Sequence, residues 1–201
     1  MKQSDLIKQI TDQELRRAVV YSQLLFLAIT IVLSWILFDS FLDWTSLFAW
    51  NVKEIVYYGV IPGIVIVVID LILIRFVPET YYDDGGANKR IFSNLQVHHI
   101  FFLTLLIAIS EEFLFRGVIQ TTFGFIIASI VFALVHVRYL QKPVLLISVL
   151  FVSFLIGYMY ELTGNLLVTV TAHFIVDFLL GLAIRYKIWG DVDERVDTRK
   201  S

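Results

Sequence analysis

Residues 109–120 read ISEEFLFRGVIQ, and they follow the apolar run of residues 100–109 directly. Two adjacent carboxylates, Glu111 and Glu112, therefore stand where a membrane-spanning helix is deep in lipid. Arg116 lies one helical turn after Glu112, so these two can pair on one face. A charge at that depth costs several kcal/mol unless it faces the bundle interior or a wet cavity. Ionisable groups placed so expensively point to function.

The rest of the composition agrees with a lipid setting. Of 201 residues, 58% are hydrophobic and 17% charged, and the mean hydropathy is +0.80. A soluble domain is nearer half apolar and a quarter charged. The apolar residues fall in long runs, so the expected fold class is all-α, a polytopic membrane helix bundle. The net charge of −2 does not suggest a nucleic-acid partner. With no cysteine in the chain, disulfides, thiolate metal sites and a cysteine nucleophile are all excluded. Residues 1–201 are read as a single membrane domain with polar tails at 1–17 and 190–201.

Outward from the Glu pair, about six transmembrane helices are expected. The first covers residues 18–38, too long and with the wrong flanks for a cleaved signal peptide. Residues 39–54, with Phe41, Trp44, Phe48 and Trp50, suit an interfacial belt. The second span, 55–74, carries Pro62-Gly63, which predicts a kink, and Asp70, expected to pair with Arg75. Residues 76–96 read as a loop. The third span runs from Val97 through the Glu pair to about Gln120. The fourth covers 123–140, the fifth 144–160 and the sixth 165–184. With both termini in the cytoplasm, 14 of the 16 Lys and Arg residues fall on the cytoplasmic side, as the positive-inside rule requires.

Three spans each carry a pair of chemically capable side chains. The third holds Glu111 and Glu112, with Arg116. The fourth holds FALVH, placing Phe132 and His136 at i,i+4. The sixth holds HFIVD, placing His173 and Asp177 on one helix face. His98 and His99 begin the third span and read as interfacial. At about 1.5 Å per residue, Glu111, His173 and Asp177 lie about 21, 22 and 16 Å from the cytoplasmic ends of their helices, whereas His136 lies about 6 Å in. A shared polar cavity fits the first three, and His136 is the misfit. One buried histidine or a Glu–Arg pair can simply lock two helices together. Six ionisable groups on three spans point instead to a functional cavity.

On these residues the chain resembles the CAAX-protease and bacteriocin-processing (CPBP, or Abi) family of intramembrane proteases. Its pattern is Glu-Glu-x-x-x-Arg, then Phe-x-x-x-His, then His-x-x-x-Asn on successive membrane helices. Here the pattern stands as Glu111-Glu112 with Arg116, Phe132 with His136, and His173 with Asp177. The stretch GYMYELTGNLLVTVTAH, with Gly157, Thr163 and Gly164, is similar to the family's approach to its last motif. The resemblance implies a catalytic core over 97–184 and hydrolysis of a peptide bond within the bilayer. It implies Glu111 as general base for water aided by His136, His173 and residue 177 holding the oxyanion, and Glu112 with Arg116 ordering the base. The implied partner is a membrane-associated peptide or protein substrate, prenylated or not, in the lipid bilayer of a cell membrane. The departure is Asp177, because an ionised Asp accepts hydrogen bonds and donates none. No cofactor is expected. Zinc held by the two His with Glu and Asp is the alternative, and a non-catalytic membrane scaffold or bacteriocin-immunity protein of the same fold is the competing function.

Overall fold

The computed structural model describes residues 9–78, 81–82, 84–140 and 142–188. Residues 1–8 of the expected tail 1–17 and all of the expected tail 190–201, with Lys2, Lys8, Arg195, Arg199 and Lys200, lie outside the described residues. Every regular element among the described residues is a helix.

Helix α1, Asp12–Leu37, begins earlier than its apolar run. Thr11 caps it: its hydroxyl accepts from the Glu14 backbone N–H at 3.2 Å, and Glu14 accepts from the Thr11 N–H at 2.7 Å. This capping box stabilises a polar first turn that hydropathy alone leaves out. Arg16 then donates to the Ile91 carbonyl at 3.0 Å, so the start of α1 is docked on the bundle.

Between α1 and the next long helix lies a short turn, α2, Asp43–Ser46. Phe41 and Trp50 are largely exposed, as an interfacial belt requires. Trp44 corrects that expectation. It is buried, its indole N–H donates to the Ser34 hydroxyl at 3.2 Å, and its ring lies against Phe38, Phe48 and Phe113.

Helix α3 runs over Val52–Phe76. Its segment Ile55–Val60 is π-helical, just before Pro62. The wider turn accommodates the missing proline N–H, and the helix continues. Asp70 and Arg75 form no ion pair with each other, contrary to the sequence reading. The region expected to be a loop contains helix α4, Ala87–Phe92, whose Ala87, Ile91 and Phe92 pack with Leu15, Ile100 and Leu103. Three apolar residues in a six-residue helix were too few to announce it.

Helix α5, Val97–Glu112, passes without a break into a π-helical segment, Phe113–Gln120, and a last turn, Thr121–Phe123. The chain breaks at Gly124, whose φ of +88° lies outside the range comfortable for other residues. Helix α6 is only Phe125–Val135. At about 1.5 Å per residue it is about 16 Å long, half of a hydrocarbon core. The expected fourth span over 123–140 is corrected accordingly. Helix α7, Pro143–Thr163, and α8, Leu166–Arg185, complete the bundle.

Among the described residues, four helices, α1, α3, α7 and α8, are long and apolar enough to cross a membrane. Their outer faces expose large apolar side chains such as Ile31, Trp35 and Ile147, which suits lipid rather than water. The charged α5 segment and short α6 lie among them. Two glycines of α3 bring it close to α8. A Cβ on Gly59 would meet the Val168 carbonyl at 2.9 Å, and one on Gly63 the Ala172 carbonyl at 3.0 Å. Small residues permit such backbone approach in membrane bundles. Residues 168–172 of α8, and hence His173, are thereby set at a defined height.

Candidate active site

Glu111 and Glu112 end the α-helical part of α5, and both are buried. Successive residues on a helix point about 100° apart, so the two carboxylates face different neighbours. Glu112 is fully buried and enclosed by partners. Its Oε1 lies 2.8 Å from His173 Nδ1, and its Oε2 lies 3.3 Å from Arg116 Nε. Arg116, with no exposed surface, also donates to the Ser153 carbonyl and hydroxyl, both at 3.1 Å, and to Gln120 Oε1 at 3.4 Å. Its guanidinium stands over the Phe132 ring at 5.3 Å. Gln120 passes the network on to the Gly157 carbonyl at 2.8 Å and to Glu161 at 2.9 Å. A buried ion pair persists only when its remaining donors and acceptors are satisfied, and here they are.

Glu111 is different. Its Oε1 accepts from Gln23 Nε2 at 3.0 Å. Its Oε2 is buried without a hydrogen-bond partner. That oxygen faces two ring nitrogens, His136 Nε2 at 3.9 Å and His173 Nε2 at 4.0 Å. These gaps are too long for direct hydrogen bonds and suit a bridging water. Asp177 Oδ2 lies 3.5 Å from the same His173 nitrogen.

Both rings have their inner nitrogen occupied. His136 Nδ1 lies 2.7 Å from the Phe132 carbonyl, which can only accept, so Nδ1 carries the proton. His173 Nδ1 is likewise held by the Glu112 carboxylate. Both Nε2 atoms are thus turned toward Glu111, an orientation set by the partner of the other nitrogen.

The structure brings all six expected site residues, Glu111, Glu112, Arg116, His136, His173 and Asp177, into one network. His98 and His99 are exposed and remote from it. The misfit depth of His136 has a structural cause. Helix α6 stops at Val135, and His136 begins a turn recessed to the level of Glu111. On this side the site is least enclosed: the side chains of His136 and Asp177 are 23% and 29% exposed, against 0% for Glu112 and Arg116.

A zinc ion with arms of about 2.0–2.1 Å sets tetrahedral ligand atoms about 3.3 Å apart. The 3.9 and 4.0 Å separations around Glu111 Oε2 are wider than that. Among the described residues no three His, Asp or Glu side chains are grouped to hold a metal ion.

Sequence reasoning missed five members of the network: Gln23, Ser110, Gln120, Ser153 and Glu161. A signal for the first existed. The buried positions of α1 are Leu15, Gln23, Thr30 and Ser34, so this helix turns a polar stripe inward and its apolar residues outward.

The family model for the type II CAAX prenyl endopeptidase Rce1-like proteins matches residues 93–179, which contain all six expected site residues. The chain is also similar to the uncharacterized protein YpbD of Bacillus subtilis (strain 168), 47% identical over 155 residues, or 75% of this chain and 82% of the relative. No solved structure matches. An inward-facing Glu-Glu/His/His constellation in an all-helical membrane bundle, together with these two likenesses, places the chain in the Rce1-like family, with the intramembrane CAAX-protease fold.

Proposed function

We propose that this protein is an intramembrane endopeptidase that hydrolyses a peptide bond of a membrane-associated peptide or protein, with Glu111 as general base. The observation that carries this reading is the buried Glu111 Oε2, unpaired and facing two imidazole nitrogens. An unsatisfied buried carboxylate oxygen costs stability, and a water substrate held there explains it.

In the proposed reaction a water lies between Glu111 Oε2 and His136 Nε2. Glu111 takes one proton as the water oxygen bonds to the carbonyl carbon. His173, doubly protonated between the Glu112 and Asp177 carboxylates, donates from Nε2 to the developing oxyanion, and a donor of this kind is worth about 10²–10³ in rate. When the C–N bond breaks, the leaving amine takes the proton from Glu111. Asp177 acts through His173, accepting from its ring rather than donating to the oxyanion, and Glu112 with Arg116 holds that ring from the other side. The protein works as a multi-pass protein of the cell membrane, with both termini cytoplasmic, in contact with lipid and with no nucleic-acid partner.

The proposed mechanism needs no metal, and the ligand spacing around Glu111 supports this. The test uses the purified protein in liposomes with a farnesylated CAAX reporter peptide and a membrane-anchored unprenylated peptide. Cleavage of either by the unsubstituted protein, lost in Glu111→Gln at unchanged melting temperature and resistant to chelators, is the expected result. Cleavage that Glu111→Gln leaves intact overturns the role of the base. Loss of cleavage on chelation, with recovery on adding zinc, reverses the metal-free assignment. If no peptide is cleaved while Glu111→Gln preserves the protein's cellular phenotype, the scaffold reading replaces the enzymatic one.

A further inference from the structure

We infer that Gln23, on the first helix and outside the region matched by the family model, is the residue that positions the general base. This rests on the reading of Glu111 as that base. Gln23 is 5% exposed in the middle of an apolar span, where an amide is costly unless its hydrogen bonds are made. Its Nε2 donates to Glu111 Oε1 at 3.0 Å, and its Oε1 accepts from the Ser110 hydroxyl at 2.5 Å. The amide is oriented by these partners: a carboxylate only accepts, so the NH2 end faces Glu111. Ser110 is fully buried and precedes Glu111 on α5. The α1 side chain therefore grips two successive residues of α5.

The grip matters because the terminal torsion of a glutamate is soft. Its carboxylate rotates over a broad, roughly two-fold profile. With Oε1 pinned by Gln23, Oε2 is left as the oxygen that faces His136 and His173. Among the described residues no other side chain hydrogen-bonds Oε1: Arg116 and His173 Nδ1 are both spent on Glu112. Gln23 touches neither histidine nor Asp177 among the hydrogen bonds of the site, so it acts through Glu111 and is a positioning residue.

The experiment compares Gln23→Met, Ser110→Ala and the double variant with the unsubstituted protein, using the same two reporter peptides in liposomes. Gln23→Met keeps the volume and removes the donor. It is expected to lower kcat about 10- to 100-fold, the range for a hydrogen bond to a charged group, with KM within about twofold and the melting temperature retained. Ser110→Ala leaves the contact to Glu111 in place and frees the amide, so its loss is smaller. The double variant is expected to match Gln23→Met alone, because Ser110 works through Gln23. An undiminished kcat in Gln23→Met, losses that add in the double variant, or a raised KM at constant kcat would each overturn the inference. If Glu111→Gln is inactive while Gln23→Met is fully active, only this inference fails. If Glu111→Gln is active, or the unsubstituted protein cleaves neither peptide, the reading of the base fails and takes this inference with it.

Discussion

Glu112 Oε1 and His173 Nδ1 stand 2.8 Å apart, joining α5 to α8 across 61 positions of sequence. The same contact separates the two adjacent glutamates by task. Glu112 is tied to a cation and a ring and has no oxygen to spare, whereas Glu111 keeps one oxygen unpaired. Two identical side chains, neighbours in sequence, thus differ in availability because the helix turns them to different partners.

This division predicts opposite stability effects. Glu112→Ala leaves Arg116 buried without its carboxylate, and breaking a buried pair in this way costs about 3–5 kcal/mol. Glu111→Gln removes a charge that has no cationic partner of this kind and keeps the Gln23 contact within reach. Thermal unfolding in detergent is therefore expected to show a large drop for Glu112→Ala and little change for Glu111→Gln. Equal melting temperatures for the two would contradict the assignment.

Asp177 lies 3.5 Å from His173 Nε2 and is part-exposed. If it serves by orienting that ring, Asp177→Ala is expected to reduce the cleavage rate about 10- to 100-fold, as for other residues that orient a working histidine. Asp177→Asn restores the residue of the family pattern and keeps a side-chain oxygen as acceptor, so it is expected to retain most activity. Steady-state cleavage of the reporter peptides measures both. An Asn variant as inactive as the Ala variant would show that the negative charge itself is required.

The α3–α8 contact rests on glycine. A Cβ at position 59 meets the Val168 carbonyl at 2.9 Å and one at position 63 meets the Ala172 carbonyl at 3.0 Å. Backbone cannot rotate away as a side chain can, so Gly59→Val or Gly63→Val forces the helices apart. The expected cost is about 1–3 kcal/mol, with a further fall in activity because α8 carries His173. Unchanged melting and cleavage in both variants would mean that α3 does not set the height of α8.

The proposed orientation is open to a direct measurement, since the chain contains no cysteine. Single cysteines at the exposed positions Ser46 and Asn94 give one reporter on each side of the proposed topology. A membrane-impermeant maleimide added to intact cells is expected to label Ser46→Cys and spare Asn94→Cys. The reverse pattern would invert the topology.

Much of this protein was legible in its sequence because a bilayer simplifies the problem. Long uncharged runs have one stable outcome in lipid, a helix with its backbone bonds closed internally. Charges in such runs must turn inward, so Glu111, Glu112, Arg116, His136, His173 and Asp177 were marked by their cost alone. Features set by contacts distant in sequence were not legible. The π-helical turns, the burial of Trp44 and the packing of α4 depend on partners that no local pattern names. The short α6 and recessed turn at His136 depend on how α5 and α7 embrace it, so counting residues from a presumed membrane edge misplaced that histidine. Hydropathy counts Gln23 as one polar residue in an apolar helix. Its meaning came only from the fold, which sets α1 against α5 and brings that amide to Glu111, a buried carboxylate whose other oxygen is left free.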